Sequence, residues 1–174
     1  MATPHTLVLG LGNDLIADDG FGPAVARECT RALGVREDVI VEEAAAAGLR
    51  LLDLLSGYRR ALILDVVRTG RAPAGTLFDW PVAASAAAWT LGGSHQCDLQ
   101  TAISLGRALG FNLPEEVSLL VAEASDLVTI REELSPPVAA AVPLALELVA
   151  AWLNRTGPFS PAAWRNHEEA RALS

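Results

Sequence analysis

The chain has 174 residues, 51% of them apolar, a formal charge of −8 and a mean hydropathy of +0.32. That length and apolar content suit one domain with a buried core and exclude intrinsic disorder. The negative charge, without any Lys/Arg run, argues against a broad nucleic-acid surface, and two cysteines, Cys29 and Cys97, are too few for a disulfide scaffold or a cysteine-rich zinc site.

The chain opens with a short apolar run, Thr6–Leu11, bounded by glycine, which predicts a buried parallel strand. Phe21, Val25 and Cys29 recur at four-residue steps and predict a helix over 20–33. A second strand is expected at 38–41, a short helix at 49–55, and a third strand at 60–65 that ends on Asp65. Residues 75–80 read as a fourth strand, and the alanine-rich 83–88 as a loop or a short helical turn. Leu99, Ile103 and Gly106 share a helical face, and 117–121 reads as a fifth strand. Val138, Val142, Ala145, Val149 and Trp152 mark a long final helix. Pro136 and Pro137 suit its first turn, whereas Pro143 is expected to kink it or delay its start. The domain is expected to span 1–154, with 155–174 as a C-terminal tail. No basic start followed by an apolar stretch marks a signal peptide, and no unbroken apolar run of about 18 residues suggests a membrane helix. A cytoplasmic location is the expectation.

Alternating strands and helices predict an α/β fold: a three-layer helix–sheet–helix arrangement around a mostly parallel, twisted, five-stranded sheet. Ligands of such sheets sit beyond the carboxyl ends of the strands. That rule selects the loops after Leu9, Leu64 and Val121, and carboxylates stand there: Asp18 and Asp19 in the first, Asp65 in the second, Glu123 at the third.

The first of these loops, "GLGNDLIADDGFG" at 10–22, admits several readings. Gly10-Leu11-Gly12 begins like a dinucleotide fingerprint, but Leu15 stands where the third glycine belongs, and Glu42 and Glu43 come too late for the ribose acid. A Gly-Lys-Ser/Thr phosphate loop is absent. One of the two aspartates suits an N-cap of the following helix, which leaves the other unexplained. Asp65 is the more unusual, because a carboxylate closing an apolar strand must be solvated, paired or coordinated. His95, in the polar stretch 92–96, reads by itself as a solvated loop histidine. Together, Asp19, Asp65 and His95 would offer two oxygens and a nitrogen to a divalent first-row metal such as zinc or nickel.

The segment "LVLGLGNDLIADDGFG" at 7–22 resembles the opening motif of the hydrogenase maturation endopeptidases. The resemblance continues through "ALILDVV" at 61–67, "SHQCDL" at 94–99, "VSLLVAEA" at 117–124 and "LSPPVAAAVPLALELV" at 134–149, and so covers roughly 6–153. It implies a twisted sheet between helices, and a metal site made by Asp19, Asp65 and His95. It also implies an activity: removal of a C-terminal extension from the large-subunit precursor of a [NiFe]-hydrogenase. Nickel would be carried by that precursor, another divalent metal would be able to occupy the site in isolation, and Asp18 would orient the loop or act as base. One block departs from the family pattern. Where many members carry an Asp-Gly-Gly-Thr-like turn, this chain has Glu43-Ala44-Ala45-Ala46-Ala47-Gly48, and alanine does not take the positive-φ conformations open to glycine without cost. The alternatives are a non-catalytic metal- or partner-binding relative of that family and, on the Gly10–Gly12 turn, a nucleotide-binding enzyme.

Overall fold

The computed structural model describes residues 6–34, 36–46, 50–81 and 99–155. Five strands form one sheet: β1 (Thr6–Leu11), β2 (Val39–Ala44), β3 (Arg60–Val67), β4 (Leu77–Pro81) and β5 (Glu116–Glu123). Their order is β2-β1-β3-β5-β4. The first four run parallel and β4 is antiparallel to β5. The register sets Gly10 beside Leu64, Asp65 beside Val121, and Val67 beside Glu123.

Both faces of the sheet are covered, which is why the strands read as continuous apolar runs. Leu7, Leu9, Ile63 and Val121 pack with Leu51 and Leu55 of α2 (Arg50–Leu55) and with Leu99 and Ile103 of α3 (Leu99–Ala108). Val8, Leu62, Leu64 and Leu120 pack with Phe21 and Val25 of α1 (Phe21–Leu33) and with Val138, Val149 and Trp152 of α4 (Pro136–Leu153). Each fully buried leucine of this kind stabilises by roughly 1.5–3 kcal/mol. Asp65 lies between Ile63 and Val67, so the two-residue period places it on the α2–α3 face.

Two glycines let α1 press against the sheet. A Cβ on Gly22 would sit 2.2 Å from the Leu11 carbonyl oxygen and 2.4 Å from that of Leu64. One on Gly10 would sit 2.5 Å from the Gly22 oxygen. Gly10, the first glycine of the turn that begins like a nucleotide fingerprint, therefore serves helix-on-sheet packing.

Several expectations are corrected. Neither aspartate caps α1: its N-cap is Gly20, without a side-chain bond, because residues 17–20 form a separate 3-10 turn. Helix α4 starts at Pro136 and runs through Pro143 with no delay. The carbonyl that loses its donor to Pro143 belongs to Ala139, and both residues are exposed, so water can satisfy it. Its 18 residues, with mean hydropathy 1.6, are long and apolar enough to cross a membrane by length and composition, although Glu147 interrupts the apolar run. Here one face of α4, from Val138 to Leu153, lies in the core. The alanine-rich 83–88, the tail from 156 onward, His95 and Cys97 lie outside the described residues.

Candidate active site

The first loop carries Asp18 and Asp19 across the carboxyl end of the sheet on the 3-10 turn Ala17–Gly20. Its backbone is strained. Ala17 has φ of +30°, the one positive value outside glycine among the described residues. Such a conformation costs an L-residue roughly 1–2 kcal/mol and persists only where the surroundings hold it. Here the Ala17 N–H donates to the Arg131 carbonyl at 2.8 Å, and Ile16 bridges to Ile130 and Arg131.

Asp18 supplies most of that hold. It is fully buried and accepts four hydrogen bonds. Its Oδ2 takes the N–H groups of Ser125 and Asp126, both at 2.8 Å, and the Ser135 hydroxyl at 2.9 Å. Its Oδ1 takes the Ser135 N–H at 2.7 Å. One carboxylate thus ties the loop after β1 to both ends of the loop between β5 and α4. Its oxygens are engaged with donors, which is the geometry of an orienting group.

Asp19 is also buried, and its Oδ2 accepts the Asn13 N–H at 2.8 Å. Gly12 makes room for it: at φ of +142°, a Cβ there would lie 1.8 Å from the Asp19 carbonyl oxygen. Asp65 stands across from this loop. Its Oδ1 accepts the Val66 N–H at 2.7 Å, its one hydrogen bond among the described residues. Burial pushes its carboxyl up from 3.8 to about 7, the Val66 bond opposes that rise, and the charge of Asp19 adds to it. The two carboxylates therefore feel one another at the carboxyl ends of β1 and β3, as strand topology predicted. His95, the third expected member, falls outside the described residues, and among those residues no group of three His, Cys, Asp or Glu side chains could hold a metal.

A fourth carboxylate, Glu123, was noticed in the sequence only as a strand end. It is buried and accepts the Thr69 and Gly70 N–H groups on Oε1 and the Thr69 hydroxyl on Oε2, each at 2.7 Å. The signal was the same as for Asp65: an acid closing an apolar strand.

Arg27 of α1 binds Asp14 of the first loop in a bidentate pair, at 2.7 and 3.0 Å, and reaches Glu43 of β2 at 2.7 Å. Glu43, the first residue of the departing block, therefore has a partner, and Ala46 further along it is buried. Both ion pairs are half-exposed, so each adds little stability. No histidine lies among the described residues, so no Ser–His or Cys–His pair is present there. Cys29 is buried, and burial pushes its thiol to about 11, with the nearby charge of Glu28 adding to the rise.

The sequence profile of the HycI hydrogenase maturation proteases matches residues 23–152. A hydrogenase expression/formation protein HupD from Bradyrhizobium diazoefficiens is 30% identical over 84% of this chain and 78% of that protein. The HupD of Rhizobium leguminosarum bv. viciae is 28% identical over 88% of this chain and 76% of its own length. Among solved structures, the hydrogenase maturating endopeptidase HybD from E. coli superimposes with a TM-score of 0.69 at 25% identity, covering 86% of this chain and 91% of that one.

Proposed function

We propose that this chain, which belongs to the hydrogenase maturation protease family, removes the C-terminal extension of a [NiFe]-hydrogenase large-subunit precursor and uses the precursor's own nickel to select its substrate. The observation that supports this reading best is the Asp19–Asp65 pair. Both carboxylates are buried, and burial, with the charge of Asp19 adding to it, holds Asp65 toward neutrality. A divalent cation relieves that repulsion, and carboxylate oxygens are suitable ligands for it.

Asp19 and Asp65 are the residues of this site that would meet the metal, joined by His95. Held there, a divalent metal would supply Lewis-acid chemistry, polarising a carbonyl or lowering the pKa of a water. Asp18 keeps the Asp19 loop in position through the Ser125, Asp126 and Ser135 groups, a role that leaves its oxygens no part in proton transfer. The chain supplies an incomplete ligand set, so its own affinity for nickel is modest, and the softer thiolates of the precursor hold the ion more strongly.

The test is cleavage in vitro of nickel-loaded and nickel-free precursor at equal concentration. The loaded form is cut and the nickel-free form is not, whether or not zinc is added. Equal cleavage of both rejects nickel recognition while leaving the endopeptidase assignment in place.

A further inference from the structure

The loop that leaves β3 begins three residues after Asp65, roughly 10 Å along an extended chain. It carries Arg68 and Arg71, both exposed. Most other described arginines of this acidic chain are tied to carboxylates, as in Arg27–Asp14, Arg36–Asp38 and Arg60–Glu116. Arg68 and Arg71 meet none among the described residues.

Their loop is held firmly. The buried Glu123 carboxylate takes the Thr69 and Gly70 N–H groups and the Thr69 hydroxyl. The Thr69 hydroxyl oxygen in turn accepts the Arg71 N–H at 3.1 Å. The far end is pinned as well: the Gly75 N–H donates to the Glu123 carbonyl at 2.8 Å, and a Cβ on Gly75 would lie 2.2 Å from the Pro137 carbonyl oxygen. A buried carboxylate given over to fixing a surface loop shows that this loop's shape is set by the fold.

The other rim of the same end is of opposite sign. The loop between β5 and α4 crosses to the β1 loop through the Ile16–Ile130 bridge and exposes Glu132 and Glu133. The entrance thus carries positive charge on the β3–β4 side and negative charge on the β1 side. In a molecule of net charge −8, a local positive lip beside the site is where an acidic partner can approach without repulsion.

We propose that Arg68 and Arg71, braced by Glu123, form a cationic lip that engages Asp and Glu side chains of the precursor polypeptide and fixes its direction across the Asp65 site. This rests on the reading of the chain as a precursor-processing endopeptidase. Arg68 and Arg71 are the contact residues, and Glu123 is a positioning residue.

The full chain and the nickel-loaded large-subunit precursor encoded in the same genome are the reagents. Binding is read by interferometry and cleavage by steady-state kinetics, at about 0.02 M and about 0.3 M salt, which spans the range where screening sets in. Wild-type affinity falls roughly tenfold across that range. The R68Q/R71Q double variant binds about tenfold more weakly at low salt, loses most of the salt response and raises KM by the same factor, with kcat held within twofold. The R68K/R71K variant, which retains the charges, recovers most of the affinity. Glu123→Ala flattens the salt response, whereas Glu123→Gln, still able to accept the two N–H groups, keeps it. A double variant with wild-type affinity and salt response overturns the lip and leaves the protease reading intact. Wild-type protein that binds in an arginine-dependent manner but never cleaves overturns the protease reading and supports the lip. Wild-type protein that does not bind the precursor overturns the lip.

Discussion

Asp65→Asn removes a charge that the fold disfavours, and the variant is therefore expected to gain stability in a pH-dependent way. In the folded chain the carboxyl titrates near 7, mainly because it is buried, against 3.8 for the ordinary group. The folded state holds a proton that the unfolded chain releases between those values. Asp65 thus contributes its full stability below about pH 3.8, loses it as pH rises, and has lost it all above about 7. A shift of about three units at 1.36 kcal/mol per unit gives a ceiling of about 4 kcal/mol. Asn does not titrate, yet its side-chain oxygen can still accept the Val66 N–H.

The assay is urea unfolding of wild type and variant from pH 4 to pH 9, in chelator so that no cation compensates the carboxylate. Subtracting the two curves cancels every other titrating group. The stability of the variant relative to wild type climbs by up to about 4 kcal/mol between pH 4 and 7, and stays level above. For a chain of this size each kcal/mol moves Tm by about 2–4 °C, so the gap is also visible by calorimetry. Parallel curves, or a wild type that gains on the variant as pH rises, would refute the reasoning, because Asp65 would then be ionised without penalty in the folded chain.

Asp19→Asn and His95→Ala are each expected to abolish precursor processing with the far-UV spectrum retained; normal processing, read as the precursor-to-mature shift on a gel, counts against a ligand role. Asp18→Ala removes the acceptor of three backbone N–H groups and should cost about 3–4 kcal/mol. Hydrogen exchange should accelerate at Ser125, Asp126 and Ser135, and unchanged protection there would contradict the clamp. Gly22→Ala drives a methyl into two backbone carbonyls and should lose about 3 kcal/mol or more, or fail to fold; a thermal melt within 2 °C of wild type, the order of 1 kcal/mol or less, would mean that α1 can lift from the sheet at little cost.

Local signals carried the sheet. Thr6–Leu11 is flanked on both sides by strands and capped by helices, so its apolar run left no ambiguity, and β1 falls at the expected bounds. Asp65 was conspicuous for the same reason, as an acid at the end of a buried run. Strand β2 reaches Ala44, beyond the apolar stretch that marked it, because its outer half pairs with β1 while its side chains are only partly covered. The N-cap reading of one of the two aspartates failed because the true partners of Asp18 lie 107 to 117 residues away, a distance no local pattern spans. The Gly10–Gly12 turn stayed ambiguous for a different reason. Close approach of a helix to a sheet and close approach of a phosphate to a backbone both require a missing Cβ, and it is the neighbours of Gly10 in the fold that identify helix packing there.

Hydrogen-bond accounting separates the acids that the sequence left equivalent. Asp18, Asp65 and Glu123 all stand at the same end of the sheet, and all three are nearly removed from solvent. Asp18 and Glu123 are met by rows of donors, which lowers the cost of burying a charge and converts each into a fixed tie for a loop. Asp65 has one donor among the described residues, lies within reach of another carboxylate's charge, and is held toward its neutral form mainly by burial. Among the described residues, then, two of the three carboxylates are tied down by several donors and the third by one. On the proposed reading a cation would suit this position better than a backbone N–H, since it would offset the charge of Asp19 as well. The two saturated acids make this workable: Asp18 fixes the loop that presents Asp19, and Glu123 fixes the loop that leaves Asp65, so both members of the proposed ligand pair are held in place by carboxylates that take no part in binding the ion.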